Sequence, residues 1–133
     1  MGLELVKCER KYWDFVRDLR NVLREGFICQ NIIDKDSHYK YMEKYSDNYY
    51  IGLEDNTPVG WVGEIDNDIR VATHPDHQKK GIGQFLINSL MEIHPEAHAK
   101  VKMENVASLK LFESCGFKRK FYILEKENAY KSI

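Results

Sequence analysis

Residues 78–83 have the sequence Gln78-Lys79-Lys80-Gly81-Ile82-Gly83 and lie between a predicted strand and a predicted helix. The strand pattern stops at His74-Pro75, because proline cannot continue a central ladder. After Gly81, apolar residues recur at helical spacing on one face as far as Ile93. The N–H groups in the first turn of a helix have no partner within the helix, and glycines let a phosphate approach them closely. This stretch therefore predicts a phosphate-binding loop.

The loop does not match the two commonest phosphate-binding motifs. The sequence contains no GxxxxGK[ST] pattern, and its GxGxxG pattern is incomplete because Phe85-Leu86 follow Gly83. A nucleotide-bearing ligand of another kind is therefore expected.

Strand and helix patterns alternate along the rest of the chain. Strands are predicted at residues 3–8, 49–53, 59–65, 69–73, 98–103 and 117–125, and helices at 12–23, 34–45, 82–93 and after the capping residue Asn105 as far as Gly116. Hairpins and helical crossovers both occur in this order, so the sequence predicts a mixed sheet rather than a wholly parallel one.

Composition excludes several classes of protein. The 133 residues suit one domain, and the 20 basic and 21 acidic side chains nearly cancel, so bulk nucleic-acid binding is not expected. The three cysteines show no metal-ligand spacing, and no metal site is predicted. The chain has no run of about 18 apolar residues and no basic-then-apolar start, so we expect no membrane contact and a cytoplasmic protein.

Two motifs in order give the chain a family resemblance. Residues 78–83 resemble the (Q/R)xxGx(G/A) loop of GNAT acetyltransferases, and residues 73–76, Thr-His-Pro-Asp, resemble the end of the family's fourth strand. Residues 105–117, which begin at Asn105 and end at Gly116-Phe117, resemble the family's N-xx-(A/S)-xx-L-(Y/F)-xxx-G-F helix and following strand. With the hairpin before them, these motifs cover roughly residues 48 to 125.

The resemblance implies a fold, a domain organisation and a cofactor. It implies a single-domain α/β (α+β) fold over residues 1–133, whose mixed, mostly antiparallel sheet is flanked by about four helices. Residues 1–47 would form the acceptor side, and residues 48–133 the acetyl-CoA-binding core. The implied cofactor-binding residues are Val71, Ala72, Thr73, Lys79, Lys80, Gly81, Ile82, Gly83, Gln84, Asn105 and Phe112. For Asn105, a plain helix cap is an equal alternative, and both roles can coexist.

The implied reaction is direct attack of an amine on the acetyl-CoA thioester, which needs a base and a group that stabilises the leaving thiolate. Asp68 is our first choice as base and Glu64 the second, and a solvated turn acid is the alternative for each. The family's usual thiolate acid is a Tyr in the last helix, where this sequence has Phe112. The candidates that remain are Tyr122, Ser108, Cys115 and a water molecule; the alternatives are that the thiolate leaves unprotonated or that catalysis is weak.

The first 47 residues resemble the family less specifically. Leu19-Arg20-Asn21, Phe27, Ser37-His38-Tyr39 and Tyr49-Tyr50-Ile51 are loosely similar to GNAT enzymes that acetylate nucleotide-linked amino sugars. On that basis Arg20, Asn21 and His38 would face a small-molecule amine acceptor, with ordinary helix-surface side chains as the alternative. Polyamines, amino acids and protein amines stay open as acceptors, as does a member that binds acetyl-CoA without turnover. The oligomeric state stays open, with a homodimer as one candidate.

Overall fold

The protein is described from a computed structural model that covers residues 2–78 and 80–127. Four strands and four helices follow in the order β1 (Leu3–Lys7), α1 (Trp13–Val22), α2 (Lys35–Tyr45), β2 (Tyr49–Glu54), β3 (Thr57–Ile65), β4 (Asp68–Thr73), α3 (Ile82–Ile93) and α4 (Val106–Ser114). Met1, Lys79 and residues 128–133 lie outside the described part of the chain.

The four strands form an antiparallel sheet in the order β1-β2-β3-β4. Two-residue turns connect β2 to β3 at Asp55-Asn56 and β3 to β4 at Asp66-Asn67, and all four turn residues have positive φ. Asp and Asn tolerate this conformation, which matches the twist of a tight hairpin. The predicted hairpins and the expected antiparallel character of the sheet are thus confirmed.

Each face of the sheet is covered by helices that bury their apolar side. Trp13, Val16 and Leu19 of α1 pack with Met42 of α2 against one face. Ile82, Leu86, Ile87 and Leu90 of α3 pack against the other face. Helix α3 approaches closely at Gly60, where an added Cβ would lie 2.9 Å from a Leu86 methyl group.

Two predicted strands are wrong. Of residues 98–103, only His98 pairs with the sheet, through an isolated parallel bridge to Asp68. Residues 117–125 contain no regular structure, and Phe121, Tyr122 and Leu124 are about nine-tenths exposed. Their β-favouring side chains gave the pattern, but a strand needs a neighbouring strand to pair with, and the described residues provide none there.

Candidate active site

The main cavity is a cleft of about 1400 Å³ beside β4. Its walls are β4, the start of α3, one side of α4 and the segment that connects α1 to α2. Two exposed hydrogen bonds cross between walls: Lys102 Nζ donates to Glu25 O at 3.0 Å, and Asn105 Nδ2 donates to Gly26 O at 3.4 Å. The cleft thus lies between the α1–α2 connection on one side and the glycine loop and α4 on the other, and these two hydrogen bonds link the sides.

The outer edge of β4 faces this cleft. Ile69 N–H donates outward to His98 O at 2.8 Å, and alternation along a strand places the N–H and C=O of Val71 on that same edge. Val71, Ala72 and Thr73 all line the cleft. The end of β4 therefore offers main-chain hydrogen-bonding groups to an extended ligand, such as a pantetheine arm.

The glycine loop forms the N-terminal end of α3 where it meets the cleft. Gly81 has φ of +80° and caps the helix, whose first internal bond runs from Phe85 N to Gly81 O at 3.0 Å. The first-turn N–H groups before Phe85 have no carbonyl partner within the helix, so they can receive an anion. Gly81, Gly83 and Gln84 line the cleft, whereas the Ile82 side chain is buried in the core and contributes only its backbone.

The structure describes one of the two lysines of this loop. Lys80 is exposed and is not among the residues that line the cleft. Lys79 lies outside the described residues. The placement of the loop thus rests on its glycines and on the helix that they begin.

Helix α4 presents one face to the cleft. Asn105 caps it, since its Oδ1 accepts from Ser108 N at 3.1 Å, so the cap and a place in the cleft wall coexist. Phe112 is buried, and its ring packs edge-on against Phe117 at 5.2 Å. Ser108 lies one helical turn before Phe112 and also lines the cleft. Ser108 and Ser114 are therefore the hydroxyls that this helix places along the cleft.

The two predicted bases lie on opposite faces of the sheet. Asp68 lines the cleft, and its Oδ2 lies 3.9 Å from Arg70 Nη2. Glu64 is buried on the α3 side, where its carboxylate accepts from Asn48 Nδ2 at 2.8 Å and from Asn67 N at 3.1 Å. The structure therefore brings Asp68 to the site and gives Glu64 a structural environment.

The remaining predicted acid, Tyr122, is far from this arrangement. Its side chain is 88% exposed, in the segment after α4 that lacks regular structure, and it does not line the cleft. Burial raises the pKa of the Cys115 thiol, which does not line the cleft either. Of the named candidates for protonating a thiolate, Ser108 is the one that the cleft contains.

Two of the predicted acceptor residues, Arg20 and Asn21, form hydrogen bonds with backbone atoms of the α1–α2 connection. Arg20 is buried and donates to Cys29 O and to Asn31 O, the latter at 3.1 Å. Asn21 bonds Ile33 in both directions: its Nδ2 donates to the carbonyl at 3.0 Å and its Oδ1 accepts from the amide at 2.9 Å. Arg20 lines the cleft, and Asn21 does not. Both side chains hold the α1–α2 connection in place.

His38 is buried in α2. Its Nε2 donates to Trp13 O at 2.8 Å, and desolvation by burial lowers its pKa, so the ring is neutral at physiological pH. The ring lines the cleft, but its hydrogen bond belongs to the packing of α2 on α1.

Several polar residues that line the cleft were not predicted as site residues, among them Tyr41, Tyr49 and Arg70. Tyr49 entered through the loose resemblance at Tyr49-Tyr50-Ile51, and Tyr41 was not singled out. Arg70 had a usable signal, because in an alternating strand it must share the face of Asp68 and Ala72. Among the described residues, no group of three or more His, Cys, Asp or Glu side chains is arranged to hold a metal ion.

Comparison with known proteins identifies the family. The family model described as "Acetyltransferase (GNAT) family" matches residues 13–117, most of the chain. The chain therefore belongs to the GNAT family of acetyltransferases, as the two motifs indicated. Among curated proteins, a sequence comparison finds no match.

Solved structures of acetyltransferases share the fold. A putative acetyltransferase of Salmonella typhimurium, yncA, solved with its cofactor acetyl-CoA, has a TM-score of 0.72 and 19% identity over 89% of this chain and 80% of that one. Spermidine N-acetyltransferase from Vibrio cholerae, solved with CoA and spermine, has a TM-score of 0.75 and 21% identity over 93% and 85% of the two chains. AAC(6')-Iy, solved with a CoA-linked bisubstrate analog of acetylneamine, has a TM-score of 0.74 and 15% identity over 96% and 98%. The predicted fold class is thus confirmed.

No helix of the described residues is both long and apolar enough to span a bilayer.

Proposed function

We propose that this chain is an acetyl-CoA-dependent N-acetyltransferase that acts on a primary amine of a small-molecule acceptor by direct attack. The observation that carries this proposal is that the open edge of β4 and the first turn of α3 meet in one cleft of about 1400 Å³. The first offers hydrogen bonds to an extended chain, and the second offers N–H groups to a pyrophosphate. Membership of the GNAT family supplies the reaction class.

The cofactor side of the cleft binds and orients acetyl-CoA. Main-chain groups of residues 71–73 hold the pantetheine arm, and the first-turn N–H groups of residues 82–84 hold the pyrophosphate. Bound acetyl-CoA supplies an activated acyl group. Phe112 gives this wall an apolar surface, and its ring is supported edge-on by Phe117.

In this proposal one side chain of the cleft accepts a proton and another stabilises the leaving thiolate by a hydrogen bond. Asp68 accepts the proton of the acceptor ammonium through water, because its carboxylate faces the cleft from the start of β4. The Ser108 hydroxyl donates a hydrogen bond where the leaving sulfur departs, since it lies on the cleft face of α4. We give Glu64 and Tyr122 no part in the reaction, because neither lines the cleft.

The acceptor has several candidates. A nucleotide-linked amino sugar follows from the sequence resemblance in the first half of the chain. Two of the solved proteins named above were instead solved with spermine or with a CoA-linked acetylneamine analog. Amino acids and protein amines also remain candidates. The proposed division places the acceptor between residues 1–47 and β4, and the cofactor against residues 48–133.

Calorimetric titration with acetyl-CoA tests the proposal. We expect wild-type binding in the micromolar range, about 8 kcal/mol, and at least about tenfold weaker binding for Gly81→Asp. That change places a carboxylate at the proposed pyrophosphate site. Asp is among the non-glycine residues that best tolerate the positive φ of this position.

Gly116→Asp is the matched control. Gly116 has φ of +92°, an added Cβ would meet no atom within 4 Å, and the residue does not line the cleft. The two variants therefore carry the same kind of backbone strain, and only Gly81→Asp should weaken binding. A folded wild-type protein that fails to bind acetyl-CoA would refute the proposal. Binding without turnover of any amine in a broad panel would instead identify a non-catalytic member, which Phe112 at the usual Tyr position favours.

A further inference from the structure

A polar cluster lies in the cleft next to the predicted base. The hydroxyls of Tyr41 and Tyr49 are 2.7 Å apart, and Arg70 Nη1 donates to them at 3.1 and 3.5 Å, respectively. Residues Tyr41, Tyr49 and Arg70, called here the Arg70 cluster, all line the cleft. Asp68 is their charged neighbour, with an oxygen 3.9 Å from Arg70 Nη2. The positively charged guanidinium of Arg70 is thus held on the acceptor side by hydrogen bonds to two tyrosine hydroxyls.

The Arg70 cluster has more donors than protein acceptors. A guanidinium carries five N–H groups, and the two on Nη1 serve the tyrosines. The Nε group is buried and has no hydrogen-bond partner among the described residues. At Nη2, the Asp68 oxygen is beyond hydrogen-bonding distance. Because Nε is shielded from the cleft, the unsatisfied donors that the guanidinium offers there are those of Nη2.

The tyrosines add one more donor. Two hydroxyl hydrogens are present, and the bond between the tyrosines uses one of them. Burial, together with the neighbouring Tyr49 hydroxyl, raises the pKa of Tyr41, so this hydroxyl keeps its proton and acts as a donor and not as a base. A guanidinium with a spare Nη2 group and a neighbouring spare hydroxyl hydrogen is suited to a carboxylate or phosphate oxygen.

The charge and position of the cluster suit an acceptor rather than the cofactor. Of the charged side chains that line the cleft, Arg20 and Arg70 lie on the acceptor side with Glu25 and Asp68, and Lys100 and Lys110 lie on the proposed cofactor side. A polycation would need an acidic excess on the acceptor side, which this set lacks. Arg70 shares one face of β4 with Ala72, about 7 Å along the strand and on the side away from the glycine loop. A group bound at Arg70 is therefore close to the proposed thioester site and away from the pyrophosphate site.

We propose that the Arg70 cluster binds an anionic group of the acceptor, so that the acceptor is a small amine that also carries a carboxylate or a phosphate. This inference rests on the proposed acetyltransferase function and adds the substrate class. Arg70 is its specificity-determining residue, and the tyrosines hold the guanidinium in position. Polyamines are then poor acceptors.

Matched acceptor pairs test the inference, with thiol release followed after addition of acetyl-CoA. Leucine is compared with leucinamide, and glucosamine 6-phosphate with glucosamine, while spermidine represents polyamines. We expect the anionic member of at least one pair to have a kcat/KM about 10- to 100-fold above that of its partner. Whichever pair shows the preference identifies the source of the anion. Acceptor binding to the CoA complex is measured in parallel by calorimetry.

Variants then assign the preference to Arg70. Arg70→Met should bring the ratio within the preferred pair close to one, mainly through a higher KM, and Arg70→Lys should restore part of it because the charge remains. Tyr41→Phe, which removes one hydroxyl, should lower the ratio less. Arg119→Met is the control, since Arg119 is exposed, pairs with Glu113 and does not line the cleft.

The outcomes separate this inference from the function on which it rests. Loss of acetyl-CoA binding by the wild-type protein would contradict the function itself. If acetyl-CoA binding is intact, three results would overturn the inference and leave the function standing. These are no preference for either anionic acceptor in turnover or in binding, spermidine as the best acceptor, or an unchanged ratio in Arg70→Met. A weaker acetyl-CoA affinity in Arg70→Met would also overturn it, because the cluster would then bind the cofactor.

Discussion

Asp68 and Glu64 lie on opposite faces of the sheet because of the tight turn between them. They are four residues apart across the β3–β4 hairpin, yet Glu64 pairs with Ile69 while Asp68 pairs with Ile65. Cross-strand partners share a face of the sheet, so the two acids point to opposite sides. A one-residue shift in the pairing of β4 with β3 would move Asp68 to the face that Glu64 occupies. The sequence identified both acids as candidates, and the two-residue turn at Asp66-Asn67 separates them.

Replacing each acid by its amide should therefore have different effects. Asp68→Asn should lower kcat by about 10²- to 10⁴-fold, because the proposed base is lost, and should change stability little. Glu64→Gln should leave kcat near the wild-type value and lower the free energy of unfolding by about 1–3 kcal/mol, because a buried carboxylate with two donors is replaced. Steady-state kinetics and urea unfolding of both variants make the comparison. The reverse pattern would identify Glu64 as the base.

Helix α1 was predicted correctly, but the role of its polar face was not evident. Its apolar residues recur at helical spacing, and that local pattern is sufficient to predict the helix. Its polar residues Arg17, Arg20 and Asn21 bond carbonyls of residues 29–33, a segment without regular structure. No periodicity in a sequence reveals such partners. The same limit applies to residues 117–125, whose β-favouring composition predicts a strand that no described neighbour completes.

The structural role of this polar face can be measured at Asn21. Asn21→Ala removes both hydrogen bonds to Ile33, and we expect a loss of about 1–3 kcal/mol in the free energy of unfolding. Asn88→Ala is the control, because Asn88 is exposed on α3 and the change should stay within about 0.5 kcal/mol. Urea unfolding provides the measurement. A stable Asn21→Ala protein whose KM for acceptor rises would instead support the acceptor contact that the sequence predicted.

Across the whole molecule, the acceptor side and the cofactor side belong to one unit. Strand β1 comes from the first 47 residues and pairs with β2 along its whole length, so both regions share one sheet. Their separation is confined to the cleft. The two hydrogen bonds that cross it, from Lys102 and from Asn105, are exposed and therefore weak. The α1–α2 connection is thus attached firmly to α1 and loosely to the opposite wall.

Binding of CoA should therefore protect the α1–α2 connection from local opening. A ligand at 100 times its Kd stabilises the folded state by about 2.7 kcal/mol, and amides that exchange through local opening of the cleft respond most. We expect amide hydrogen exchange at residues 22–33 and 105–112 to slow with saturating CoA, and exchange within β2 to change less. Gly81→Asp is the control and should show less slowing at the same CoA concentration, because its weaker binding gives a smaller stabilisation. Slower exchange at residues 81–85 with none at residues 22–33 would mean that this connection does not enclose the cofactor, and the acceptor would then enter an open cleft.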